Sequence, residues 1–184
     1  TGVRGVQRVP RAGRGVTPVG AKESIMTIPS RLALYLDRHG ARYEVCAHER
    51  TRSSAETARA AHVMPHQLAK PVLLEDDAGY VMAVVPADRM VMLGRIGQLL
   101  GRHELRLSDE QRITALFGDC EFGALPPVGM AWGVETVVDD DLEAGETVYM
   151  EGGDHECLLQ VSREQFHALM SPARHGHFSR PALH

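Results

Sequence analysis

Lysine is nearly missing from this 184-residue chain: only Lys22 and Lys70 stand among its 20 basic residues. Cysteine is scarce too. Cys46, Cys120 and Cys157 form no even framework and no apolar stretch reads as a secretory signal, so the expected compartment is a reducing cytoplasm. No apolar run approaches the length of a membrane-spanning helix, which removes the membrane as an expected partner. Walker loops, dinucleotide fingerprints and paired-carboxylate motifs are absent, and no cofactor is expected. Positive charge is confined to one end. Arg4, Arg8, Arg11, Arg14 and Lys22 against Glu23 give residues 1–25 a net +4, which leaves −8 on the body of a chain whose total is −4. An acidic body argues against tracking along a nucleic-acid backbone, so DNA is not an expected partner. Contact with one end of a nucleic acid remains compatible with it.

What is present centres on residues 68–86. Two apolar runs, Val72 to Leu74 and Tyr80 to Val85, flank the turn signal Glu75-Asp76-Asp77-Ala78-Gly79, which predicts a β-hairpin. Both runs are nearly continuous in Val, Leu and Met, as in strands covered on both faces at the centre of a sheet. Lys70 heads the first strand. A lysine kept where arginine is otherwise the rule offers a compact point charge and a pKa that burial shifts readily. The alternative is a strand-end lysine with its head in water.

Composition predicts one core-sized domain with loose ends. Residues 1–27 are expected to be a disordered basic extension, 28–170 the folded domain and 171–184 a disordered tail. Within the domain, Pro29-Ser30 opens a helix that Gly40 closes. Tyr43 to Ala47 reads as a strand. Capping-box spacing at Ser53, Ser108 and Ser162 starts three more helices, and Met90 to Leu100 a further one. Val134–Val138, Thr147–Met150 and Glu156–Val161 read as strands. The expected class is α+β, with a central mixed, partly barrel-like sheet and surrounding helices.

Three chemical arrangements compete. In the first, Lys70 faces the loop Gly123-Ala124-Leu125-Pro126-Pro127-Val128-Gly129. Its glycines permit close backbone approach, and its prolines stiffen a bend whose amides can hold a carbonyl oxygen gaining charge in acyl transfer. A plain corner between helix and strand has the same composition. In the second, Cys46-x-His48 and His155-x-Cys157 supply four zinc ligands, although cysteines in strands commonly serve as small core residues. In the third, a cysteine acts as nucleophile; Cys120 follows a helix end, where nothing lowers its pKa.

The residues in order resemble the YbaK/ProX family, the module also inserted in bacterial prolyl-tRNA synthetases as an editing domain. The resemblance rests on His48, Ser54-Ala-Glu56 opening an alanine-rich helix, Leu68-Ala-Lys70 before Val-Leu-Leu-Glu-Asp, Gly79-Tyr-Val-Met-Ala-Val-Val-Pro86, and Gly123-Ala-Leu-Pro-Pro127. It spans about residues 28–170. It implies trans-editing: hydrolysis of the ester that joins a wrongly attached small amino acid (the Ala, Cys, Ser, Pro class) to tRNA. Such a second site is needed because one pocket discriminates poorly between small side chains. By the resemblance Lys70, Gly123 and His155 carry the reaction, with Lys70 on the terminal phosphate or the ester. His48, Ser54, Ala124, Leu125, Pro126, Pro127 and Gly129 line the substrate site. The implied partners are the aminoacyl-tRNA acceptor end and an aminoacyl-tRNA synthetase. Pro71 departs from the family, where a hydrogen-bonding residue is common. A non-catalytic module binding the aminoacyl-tRNA end or a synthetase is the alternative from another class, and a zinc-binding protein the lesser one.

Overall fold

The computed structural model describes residues 8–10 and 28–183. In chain order the elements are β1 (Arg8–Pro10), α1 (Ser30–Arg38), β2 (Glu44–Ala47), α2 (Ser54–Ala60), β3 (Leu68–Asp76), β4 (Gly79–Pro86), β5 (Arg89–Val91), α3 (Leu93–Leu100), β6 (Arg106–Leu107), α4 (Glu110–Leu116), β7 (Glu135–Asp139), β8 (Thr147–Glu151), β9 (Cys157–Ser162), α5 (Arg163–Leu169), β10 (Arg174–Gly176) and β11 (Ser179–Pro181). One mixed sheet runs β1-β2-β9-β8-β3-β4-β7-β10, with β6 added to β3, and β5 pairs with β11 apart from it. This is the α+β fold around a central mixed sheet that the sequence predicts. No helix of the described residues is long and apolar enough to cross a membrane.

The hairpin lies at the centre. β3 and β4 pair from Ala69↔Pro86 to Asp76↔Gly79, which leaves Asp77 and Ala78 as the turn, shorter than the five-residue signal. Asp76 accepts the Ala78 amide at 2.8 Å, and Gly79 takes a φ of +122° that side chains rarely adopt. Alternation sends Ala69, Leu73, Met82 and Val84 into the larger core with Leu32, Leu36, Phe117 and Phe166. Leu74, Val81, Ala83 and Val85 meet Ile96 and Phe178 on the other face. A third cluster packs Leu68 and Leu158 beneath Ala58 of α2 and Ala61, which caps its C-terminus. Burial on both faces accounts for the continuous apolar runs.

Pro71 has a clear place in this ladder. Ala87 donates to the Leu68 carbonyl and Ser108 to the Leu73 carbonyl, so odd-numbered residues of β3 turn their polar groups away from β4. On that side Leu68 and Ala69 pair with β8, and the next partner is β6 at Leu74 and Glu75. Proline cannot donate the next rung, and the parallel ladder to β8 stops there.

Ser53 and Ser162 cap α2 and α5 through the Glu56 and Gln165 amides, as their spacing predicts. Asp109, not Ser108, caps α4; the Ser108 hydroxyl goes to Glu75 instead. Residues 90–91 belong to β5, and α3 begins only at Leu93. Two expectations of disorder need correction. Arg8–Pro10 pairs with β2, while the rest of the 1–27 segment lies outside the described residues. Residues 174–181 are not a loose tail, because β10 pairs with β7 and β11 with β5. Phe178 between them is fully buried, donates its amide to Asp139 and accepts the Met92 amide. Strands of three residues with polar outer faces leave no period to read. Phe178→Ala should cost ~3–5 kcal/mol of stability, measured by denaturant unfolding. A loss below ~1 kcal/mol would contradict this packing.

Candidate active site

Lys70 is the third residue of β3, and its side chain lies on the face shared by Leu68 and Val72. The ammonium donates to the Arg89 carbonyl at 2.6 Å and the Ala87 carbonyl at 3.5 Å. Burial lowers its pKa, and Asp88 nearby partly offsets this. Of its three protons, two are directed at carbonyls and one is left.

The loop after α4 passes between the faces. Ala124, Leu125, Pro126, Pro127, Val128 and Gly129 are buried, and Leu125 and Val128 join the larger core, opposite to Lys70. Gly129 packs so tightly that a Cβ there would overlap the Thr136 hydroxyl and sit 3.2 Å from Met82 Cβ. Gly123 is different. It is exposed, adopts φ +84°, and a Cβ on it would lie 3.1 Å from His155 Cε1 and 3.6 Å from the Arg52 carbonyl. Arg52 leads into α2, on Lys70's side of the sheet. Within the loop the Ala124 amide is used by the Glu121 carbonyl. The Gly123 and Leu125 amides have no hydrogen-bond partner among the described residues.

His155 completes this corner. It sits in the β8–β9 turn at φ +61°, a costly conformation for a side chain of its size. Its Nε2 lies 2.5 Å from the Phe122 carbonyl. A carbonyl can only accept, so Nε2 carries the proton and Nδ1 is a lone-pair nitrogen, buried and without a partner among the described residues. His48 repeats the pattern, with Nδ1 against the Glu49 carbonyl at 2.7 Å and Nε2 buried and unpartnered. Its backbone amide donates to Glu156, and the Thr51 amide donates to His155. Gly123, His155 and the 48–52 segment therefore meet. Ser54, the first residue of α2, lies beside them in sequence while Ser53 does the capping. Lys70 makes no hydrogen bond or ion pair to any of these among the described residues.

Sequence reading missed Glu151. It ends β8, is 1% exposed, and among the described residues neither carboxylate oxygen has a hydrogen-bond partner within normal distance. Ala69 lies beside Met150 in the parallel register, so Lys70 and Glu151 come next and share the opposite face. Burial raises the Glu151 pKa to about 7; nearby Thr57 opposes this and Asp154 adds to it. Its position at the end of an otherwise apolar strand was the available signal.

The other arrangements do not assemble. Register sets Cys46 opposite Leu158 and Cys157 opposite Ala47, so the two sulfurs face different cores. No three of Cys46, His48, His155 and Cys157 bring ligand atoms together among the described residues, and the zinc reading is corrected on that ground. Burial, with Asp119 beside it, pushes the Cys120 thiol up to about 12, which keeps it protonated and weakly nucleophilic. Burial pushes the Cys157 thiol up as well.

Known proteins share this architecture. A structure described as a candidate trans-editing enzyme for prolyl-tRNA synthetase is 24% identical, with a TM-score of 0.71 over 82% of this chain and 95% of its own. A protein described only as hypothetical gives 24% identity and a TM-score of 0.73, over 82% of this chain and all of its own. A candidate signal transduction protein from Marinobacter aquaeolei VT8 gives 24% and 0.66, and there the match covers 83% of this chain but 31% of the longer one. These likenesses establish the fold. No curated protein matches the chain. The family model described as an aminoacyl-tRNA editing domain matches residues 48–169, two thirds of the sequence, with Lys70, Gly123 and His155 inside that span. The chain belongs to the aminoacyl-tRNA editing domain family.

Proposed function

We propose that this protein is a trans-acting deacylase that hydrolyses mischarged aminoacyl-tRNA carrying a small amino acid, in the cytoplasm. The observation that carries this reading is the Gly123–His155 corner, where an exposed unpartnered amide stands against an imidazole whose lone-pair nitrogen is unpartnered. Water held by His155 Nδ1 attacks the ester carbonyl carbon, and the Gly123 amide stabilises the oxyanion. The bond from that carbon to the ribose oxygen then breaks, and that oxygen leaves as a hydroxyl by taking the proton that His155 Nδ1 removed from the water. The test is ester loss from tRNAs charged with Ala, Cys, Ser or Pro. Cleavage faster than in buffer is expected for at least one, and none at all would refute the reading.

Lys70 supplies charge from the neighbouring face, with its remaining donor for the terminal phosphate. Lys70→Ala should raise KM about 10-fold or more, the scale of one charge-assisted hydrogen bond. Lys70→Arg should not restore it, because a planar guanidinium cannot serve two carbonyls and a phosphate from the same position. An unchanged KM in Lys70→Ala would remove the residue from the site. The same ammonium, already held by two carbonyls, also suits a module that binds an aminoacyl-tRNA end or a synthetase without turnover. Binding of uncleaved aminoacyl-tRNA, or capture of a synthetase, by a protein inactive in the ester assay would favour that second reading.

A further inference from the structure

Among the described residues Glu151 is a buried acid with no cation of its own. Its face is closed by α2 and by the strand that carries Lys70. The Lys70 ammonium leans away, onto the carbonyls of Ala87 and Arg89. Asp154, the nearby acid, is fixed by the Glu156 and Cys157 amides and repels a second negative charge. The neighbouring Thr57 hydroxyl is a neutral donor that only partly opposes the effect of burial, and it is shared with the Ser53 carbonyl at 3.0 Å and the Thr51 hydroxyl at 2.6 Å. Two bare carboxylate oxygens in such a place are costly unless something binds there.

What is missing is a small cationic donor, and the location says which one. Glu151 has Thr57 as its neutral polar neighbour, Thr57 meets the Thr51 hydroxyl, and the Thr51 amide donates to the His155 carbonyl at 3.3 Å, so these groups form a polar seam. The seam therefore joins the acid to the corner where the ester carbonyl would sit. In every aminoacyl ester the α-ammonium is attached through a single carbon to that carbonyl. Resting on the deacylase reading, we propose that Glu151 binds the α-ammonium of the aminoacyl ester and so orients its carbonyl toward Gly123 and His155. A carboxyl that burial raises to about 7 is partly protonated near neutral pH when empty, and it gives up that proton as the cation arrives.

The experiment compares aminoacyl-tRNA with its N-acetylated form, which keeps the ester and loses the cation. Each rate is divided by its own rate in buffer, for wild type and for Glu151→Gln. Wild type should accelerate the free-amine substrate at least about 10-fold more than the acetylated one, and Glu151→Gln should bring that ratio close to one by losing activity on the free amine alone. Equal acceleration of both substrates by wild type overturns the proposal. An equal fall for both in Glu151→Gln, or no fall, also overturns it, because it shows a role in folding or none. If wild type cleaves neither substrate, the deacylase reading fails and takes this proposal with it.

Discussion

Gly123→Ala should lower kcat/KM for deacylation by roughly two orders of magnitude while leaving the protein folded. The added methyl would stand 3.1 Å from His155 Cε1 and 3.7 Å from Nε2, closer than ordinary packing allows at the first of these. The ring has little freedom to yield, because Nε2 is bonded at 2.5 Å to Phe122, the residue just before the substitution. The φ of +84° adds strain of about 1–2 kcal/mol for any side chain. That cost falls at an exposed loop tip and lies well within what a domain of this size tolerates. The chemistry is far less tolerant: a displacement of about 1 Å, or loss of one oxyanion donor, each costs about 100-fold. Gly129→Ala is the matching control. Its methyl would overlap the Thr136 hydroxyl and press on Met82 and the Val134 carbonyl inside the core, so it should reduce stability first. Measuring unfolding midpoints and single-turnover ester hydrolysis for both variants separates the two glycines. Activity of Gly123→Ala within about threefold of wild type would show that this corner does not hold the reacting carbonyl.

The central hairpin was legible because burial on both faces leaves an unbroken Val, Leu and Met pattern between turn residues. The serine caps at Ser53 and Ser162 were legible for a similarly local reason, a side chain and an amide three residues apart. Non-local competition defeated the third cap, where Ser108 is drawn to Glu75 across the sheet and Asp109 takes its place. The C-terminal strands were hidden because their stability lies in one distant pocket, filled by Phe178, and not in their own pattern. At the site, the Gly-Pro loop and His155 could be picked out as residue types. That Leu125 and Val128 would turn into the larger core while Phe122 and Gly123 reach His155 depends on how the loop passes between two faces. Glu151 was overlooked for the same reason: a single acid at a strand end carries no spacing, and its character comes from Thr57, Asp154 and the cover of α2.

That character gives the second large effect. Glu151→Gln should stabilise the protein by about 3 kcal/mol at pH 8 and by only about 1 kcal/mol at pH 5. Burial raises the folded-state pKa to about 7 from an ordinary 4.5, so between those values the folded chain holds a proton that the unfolded chain has released. Stability must then fall as pH rises through this window, and the penalty stays in place above it. A neutral amide of the same shape never ionises, so the variant escapes the penalty, most of which has not yet built up at pH 5. Asp76, lowered to about 2 chiefly by its hydrogen bond with Arg102, titrates below the window with the opposite slope and does not disturb the comparison. Denaturant unfolding of both proteins at half-unit steps from pH 5 to 8 reads the difference directly. Parallel curves would mean that Glu151 stays ionised in the fold and therefore has a counter-charge, which would also leave no vacancy for a substrate ammonium. Diverging curves, together with loss of selectivity for the free amine, would show a destabilising acid kept in place by its use in binding.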